Sequence, residues 1–213
     1  MVNGFIAVVL GYLLGSIPSA YIATRVTMGK DVRQLGGGNV GGLNVYREVG
    51  AIPAVVVGIV DLGKGAAAVA IAQWPLHVSP PFVLATAVAA VVGHNWMVFL
   101  KFSGGKGMGA SIGALSVLFF LPPYRYPLGL AFLLGIILIP MVITRNVALS
   151  MFIGFLSLPF IGWLGVKSTP FLIFSIVLGL IIAVKFFPTA RVALARAESK
   201  KDFIFDRWQR GKR

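Results

Sequence analysis

Pro170-Phe-Leu-Ile-Phe-Ser-Ile-Val-Leu-Gly-Leu-Ile-Ile-Ala-Val-Lys-Phe-Phe187 decides the class of this chain. Its single charge, Lys185, stands two residues from the end, so the apolar run approaches the roughly 20 residues that cross a bilayer as helix. Comparable runs occupy 3–24, 53–73, 82–100, 108–122, 128–143 and 147–165. Hydrophobic residues make up 58% of the 213 positions and charged residues 12%. Mean hydropathy is +0.91, outside the range of soluble domains. No ten-residue alternating pattern marks a membrane barrel. The reading is all-α: a polytopic integral membrane helical bundle of about seven transmembrane helices. Six and eight are the alternative counts, and 128–143 is the weakest span, open to tilt or a re-entrant path.

Between these spans lie two glycine-rich loops. The first is Gly36-Gly37-Gly38-Asn39-Val40-Gly41-Gly42-Leu43-Asn44-Val45-Tyr46-Arg47, with five glycines in its first seven positions. Glycine permits the left-handed turns that aim successive backbone N–H groups at one point. Asn39 and Asn44 add neutral hydrogen-bonding groups, and Arg47 adds a planar cation suited to phosphate. The second loop, Ser103-Gly104-Gly105-Lys106-Gly107, repeats this chemistry with a lysine point charge. Neither loop has the spacing of an ATP-binding P-loop. Two anion cradles in a membrane protein point to a phosphorylated substrate at the bilayer edge.

The basic residues orient the bundle. Arg25, Lys30, Arg33 and Arg47 fall in one loop, followed on the same side by Lys101 and Lys106, Arg145, and the tail. The opposite loops hold only Arg125 and Lys167. This asymmetry places the N-terminus outside and both glycine loops and the C-terminus in the cytoplasm. Residues 1–14 lack a basic segment and a small-residue cleavage site, so they read as a first membrane helix. Nine of the nineteen basic residues lie at or beyond Lys185, interleaved with Phe203, Phe205 and Trp208. The segment 188–213 therefore reads as a basic cytoplasmic tail, set by topology or binding anionic lipid headgroups, rather than as a nucleic-acid surface. Without cysteine, and with two histidines and six acidic residues, neither a disulfide nor a metal site is expected. One membrane domain covers 1–213.

The polar residues near span ends carry the remaining chemistry. Asp61 and Lys64 stand three apart on one helical face. They form either a self-neutralising interfacial pair, with Lys64 snorkelling, or a support in which Asp61 orients a cationic loop residue such as Arg47. His94 stands in Gly93-His94-Asn95-Trp96, as an interfacial group or a general base. Arg145 and Asn146 make a very short cytoplasmic turn, with Ser150 near the next helix start.

Taken together these segments resemble the acyl-phosphate:glycerol-3-phosphate acyltransferases, the PlsY family. Residues 37–47 are similar to the family's Ser-Gly-Asn-x-Gly-Ala-Thr-Asn-x-x-Arg. Residues 14–20, Leu-Gly-Ser-Ile-Pro-Ser-Ala, resemble its first helix, and Asp61 to Gly65 its Asp-x-x-Lys-Gly. Gly93-His94 through Gly107 resembles its Gly-His-x-x-Pro-x-Phe…Gly-Gly-Lys-Gly. Arg145 through Ser150 resembles a shorter Arg-Tyr-x-Ser-Leu-x-Ser. The resemblance spans roughly residues 10–150 and implies a seven-helix membrane enzyme of phospholipid synthesis with cytoplasmic active-site loops. There are departures. Gly37 replaces the family's serine, Leu43 its threonine and Ala148 a serine, and Phe186 to Arg191 lacks its histidine and asparagine.

The resemblance implies transfer of a fatty acyl group from acyl phosphate to glycerol 3-phosphate, with lysophosphatidate as product and no cofactor. The candidate catalytic residues are Arg47 and Lys106, as phosphate-holding cations, and His94, the only plausible general base among nearby side chains. Gly37, Gly38, Asn39, Gly41, Asn44, Gly104, Gly105, Gly107, Arg145 and Ser150 would bind phosphate or substrate, with Asp61 and Lys64 in support. The expected location is the bacterial cytoplasmic membrane. The departures keep open an impaired paralogue that binds acyl phosphate or lipid phosphate, or one that acts on another phosphorylated acceptor. A small transporter is a third class, for which the midplane charged site is not evident.

Overall fold

The computed structural model describes residues 1–196 and residue 204. Apart from residue 204, the basic tail from 197 onward lies outside the described residues. Every regular element among the described residues is helical. The chain divides into two compact units, Met1–Pro123 and Tyr124–Arg213.

The first unit begins with α1 (Val2–Gly15) and α2 (Ser19–Met28). They break at Ile17-Pro18, where proline has no N–H to continue the ladder. α3 (Gly42–Glu48) and α4 (Ala51–Gln73) follow, then α5 (Pro80–Asn95), opened by prolines that preset the first turn, and the short α6 (Met108–Leu118). α1 packs on α5 and α4, and α4 packs on α5 and α6.

Small residues set these contacts. A Cβ at Gly15 would collide with the backbone carbonyl of Ala90, and one at Gly93 with that of Tyr12. Across the α4–α6 interface the pattern is reciprocal: Gly65 faces the carbonyl of Ala110, and Gly113 that of Leu62. Close backbone approach through small residues is how membrane helices associate where apolar side chains gain little over lipid. The opposite faces present large apolar residues outward, among them Ile52, Val55, Val56 and Ile59 of α4.

The second unit holds α7 (Pro127–Thr144), α8 (Val147–Ile161) and α9 (Thr169–Arg196). α7 and α8 form a hairpin closed by two residues, with Arg145 left-handed at φ 55° and Asn146 capping α8 through Leu149 N–H (3.0 Å). α9 packs on α8, with Phe152 stacked on Phe186 at 4.8 Å between centroids. Leu133, Ile137, Phe155, Leu158, Phe171 and Leu178 are buried here.

Among the described residues, six helical segments are long and apolar enough to cross a membrane, the first formed by α1 and α2 together. The short segment is not the one expected. The 128–143 run is a full 18-residue helix, Pro127–Thr144, whereas the 108–122 run forms only the 11 residues of α6. At 1.5 Å per residue α6 is about 16 Å long, near half the hydrocarbon thickness.

Candidate functional site

The first loop is built on a rigid base. Asp31 caps a 3-10 turn, Val32–Gln34, by accepting the Arg33 N–H (2.9 Å), and pairs with the Arg33 guanidinium at 2.6 Å. That guanidinium hydrogen bond holds the Asp31 carboxyl below its ordinary range. Arg33 also lies over the Tyr21 ring, 5.8 Å from its centroid, and donates to the Leu100 carbonyl at 3.5 Å. Beneath, Val32, Val40 and Val45 pack with Ala20, Val57, Met97 and Leu100. The loop is therefore anchored to α2, α4 and the segment after α5.

Within it, the left-handed turns fall at Gly36 (φ 54°) and Gly38 (φ 68°), while Gly37 has ordinary φ and open space where a side chain would stand. The Asn44 side chain is buried and donates to the carbonyls of Leu35 (3.0 Å) and Val32 (3.4 Å). Both its amide hydrogens hold the loop's own backbone. The atoms nearest a Cβ at Gly36 are the Glu48 carboxylate and the Asn44 side-chain oxygen. That flank is lined with acceptors and repels anions. Asn39 folds its amide nitrogen toward Gly41, at the start of α3.

The second loop is a closed excursion from the end of α5. Gly105 N–H returns to the His94 carbonyl (3.0 Å), and Met97 N–H bonds the Ser103 carbonyl (3.3 Å). The turn is made by Lys101 and Phe102, both left-handed. Its three glycines have separate reasons. A Cβ at Gly104 would strike the carbonyls of His94 and Asn95. One at Gly105 would strike the His94 ring at Nε2 and the Val40 carbonyl. Gly107 is left-handed at φ 75° and caps α6.

The Gly105–Val40 contact brings the two loops together. At this junction Lys106 is pushed down to about 8, first by burial and then by the positive charge of Arg47. Lys106 precedes the N-terminus of α6 by two positions, where backbone N–H groups and the helix dipole favour an anion. A cation pair beside a helix start is an arrangement suited to an anion such as phosphate.

Behind the loop lies a buried charged cluster. Asp61 Oδ1 accepts from Ser19 Oγ (2.6 Å), pairs with Lys64 Nζ (2.9 Å) and lies 3.5 Å from His94 Nδ1. Lys64 also donates to the Ile17 carbonyl at 3.1 Å. Asp61, Lys64 and His94 are 5%, 4% and 3% exposed, so Lys64 turns inward instead of snorkelling. Asp61 meets His94 from α5, a partner its own helix does not reveal. Tyr12, Ser16, Ser19 and Asn95 carried no expected role. Tyr12 Oη donates to the Trp96 carbonyl (2.8 Å) and Ser16 Oγ to that of Gly93 (3.4 Å), tying the second loop's root to α1. The only signal for the serines was their place in the 14–20 segment.

Arg145 and Ser150 belong to the second unit. Ser150 is buried, and its hydroxyl turns back to the Asn146 carbonyl at 2.9 Å.

Comparisons with known proteins identify the family. Residues 5–195 match the family model described as glycerol-3-phosphate acyltransferase. Glycerol-3-phosphate acyltransferase 1 of Dehalococcoides mccartyi is 45% identical over 204 residues, covering 96% of this chain and 97% of the relative. Glycerol-3-phosphate acyltransferase 2 of Moorella thermoacetica is 35% identical over 92% of this chain and 96% of its own length. Among solved structures, PlsY, an integral membrane glycerol 3-phosphate acyltransferase, superposes in its glycerol 3-phosphate form with TM-score 0.77 and 27% identity. That match covers 90% of this chain and 92% of PlsY. Its lysophosphatidic acid form gives TM-score 0.74 at 26% identity, covering 95% and 98%. With the helical membrane architecture, the paired glycine loops and matches across nearly the whole length in agreement, the chain belongs to the glycerol-3-phosphate acyltransferase family of integral membrane proteins.

Proposed function

We propose that this chain transfers the fatty acyl group of an acyl phosphate to a hydroxyl of glycerol 3-phosphate, giving lysophosphatidate and inorganic phosphate. The observation that carries this reading is the meeting of the two glycine loops at Gly105 and Val40, with the charge of Arg47 felt at the buried Lys106. A phosphate dianion relieves their mutual repulsion and accepts backbone N–H groups of the loops. The relative's glycerol 3-phosphate and lysophosphatidic acid forms support the acceptor and the product.

An acyl phosphate is a mixed anhydride, so the chemistry needs orientation and charge stabilisation more than a protein nucleophile. The acceptor oxygen bonds to the acyl carbonyl carbon. The bond from that carbon to the phosphate oxygen breaks, and the departing phosphate takes the hydroxyl proton. Lys106, Arg47 and the loop N–H groups hold the phosphates while the acyl chain lies among the helices. The basic asymmetry supports a bacterial cytoplasmic membrane with both loops on the cytoplasmic side. The composition of the basic tail supports attraction to anionic headgroups on that side.

The test uses purified full-length protein in nanodiscs with a long-chain acyl phosphate and glycerol 3-phosphate. Lysophosphatidate should form only with both substrates present. Lys106→Ala and Arg47→Ala should each weaken glycerol 3-phosphate binding about tenfold, the effect of losing one charged hydrogen bond. Acyl-phosphate binding without transfer would replace this reading with that of a non-catalytic lipid-phosphate-binding paralogue. Single cysteines at positions 47 and 213 of this cysteine-free chain should label from the same side. Labelling from opposite sides would overturn the orientation.

A further inference from the structure

We infer that Asp61, acting through His94, is a positioning pair that holds the Gly104-Gly105-Lys106 backbone in its anion-binding conformation. The inference rests on the acyltransferase reading above and concerns residues buried behind the second loop.

The geometry is a chain of contacts running from the bundle core to the loop. Ser19 and Lys64 fix the Asp61 carboxylate, at 2.6 and 2.9 Å. Lys64 is itself tied to the α1–α2 break through the Ile17 carbonyl. The carboxylate stands 3.5 Å from His94 Nδ1. The far edge of the same ring, Nε2, lies against Gly105 so closely that the loop admits no Cβ there. The His94 carbonyl receives the Gly105 N–H at 3.0 Å. Side chain and backbone of one residue thus grip the loop immediately before Lys106. The Val40 carbonyl of the first loop crowds the same Cβ position of Gly105, so a shift of the imidazole disturbs the place where the two loops meet.

Three features set this cluster apart from an inert core. Its three ionisable groups lie buried on α4 and α5, where charged groups are costly unless paired. It joins the α1–α2 break, α4 and α5, linking through polar contacts elements that also pack on one another. It also lies behind the loop, 3% exposed at His94, which removes that imidazole from the solvent side where an acceptor alcohol arrives. His94 is therefore a poor general base and a good buttress.

The two roles separate in kinetics. A loosened phosphate cradle loses binding shared by ground and transition states, which raises KM and leaves kcat. A lost base lowers kcat and leaves KM. His94→Ala should raise the KM and the Kd for glycerol 3-phosphate by about tenfold, as for one lost charged contact, with kcat within about threefold. His94→Gln, which restores a polar group of similar reach, should recover most of the affinity. Asp61→Asn alone leaves Lys64 buried without its counter-charge, so Asp61→Asn with Lys64→Met is the companion variant. It should show the same rise in KM.

Kd is read by calorimetry with glycerol 3-phosphate on the same nanodisc preparations as turnover. A kcat loss of about a hundredfold with unchanged KM and Kd would make His94 the base and overturn the inference. Unchanged KM and Kd in all the variants, with only thermal stability reduced, would also overturn it. If the unmodified protein binds glycerol 3-phosphate without turnover, the acyltransferase reading fails while the Kd comparison still decides this one. Absence of binding by the unmodified protein would overturn both.

Discussion

Lys106 gives the site a titration that binding measurements can follow. Its ammonium is held at about 8, against an ordinary 10.5, because burial disfavours the charge and Arg47 repels it. A phosphate binds the charged form, so the apparent Kd equals the intrinsic value times one plus the ratio of neutral to charged lysine. That factor is close to one at about pH 7 and about eleven at about pH 9. A phosphomonoester loses its second proton near about pH 6, so the ligand's charge is constant over this window. The Kd for glycerol 3-phosphate should therefore rise about tenfold between about pH 7 and about pH 9, with protons taken up on binding near the upper end.

Calorimetry in buffers of different ionisation enthalpy reads both the affinity and the proton uptake. Lys106→Arg should flatten the profile, because the guanidinium stays charged throughout. The folding linkage has the opposite sign. The folded pKa lies below the unfolded one, so between about 8 and 10.5 the unfolded chain binds more protons and stability rises with pH. A ligand-free protein that grows more stable while its affinity falls would separate this lysine from general alkaline damage. A flat Kd over the window, or an equal slope in Lys106→Arg, would refute the assignment.

Two further predictions follow from the glycines. Gly37 has ordinary φ and open space around its absent Cβ, so Gly37→Ser enters without backbone strain. Together with Leu43→Thr it should raise lysophosphatidate formation wherever acceptor handling limits the native rate, and unchanged turnover in the double variant would show that the loop N–H groups suffice. Gly113→Ala drives a methyl into the Leu62 carbonyl across the α4–α6 interface, a misfit expected to cost about 1–3 kcal/mol. Gly63→Ala meets nothing within 4 Å and should stabilise by about 0.5–1 kcal/mol. Thermal unfolding in nanodiscs should order the three proteins Gly63→Ala, native, Gly113→Ala.

What could be read before the structure was whatever depends on local composition. Apolar runs of span length announce helices. The loop glycines announce a backbone unlike helix or strand, and Asp61 and Lys64 three apart announce a pair. What could not be read depends on which backbone passes behind which. Gly37 and Gly36 are adjacent and chemically identical, yet only Gly36 is left-handed. Gly105 is required by the imidazole and the carbonyl that crowd the place of its absent Cβ, and Gly107 by its own φ. Asn44 is suited to phosphate by its chemistry and placed instead to hold Leu35 and Val32. His94 reaches Asp61 through packing between helices 33 positions apart in the chain, a relation no local pattern encodes. Length carries the same lesson: residues 108–122 are as apolar as a span, and α6 starts directly after the left-handed Gly107 that closes the second glycine loop but stops at Leu118. Where a helix must start at the site, the site and not the bilayer sets its first residue, and its N-terminal N–H groups stay beside Lys106.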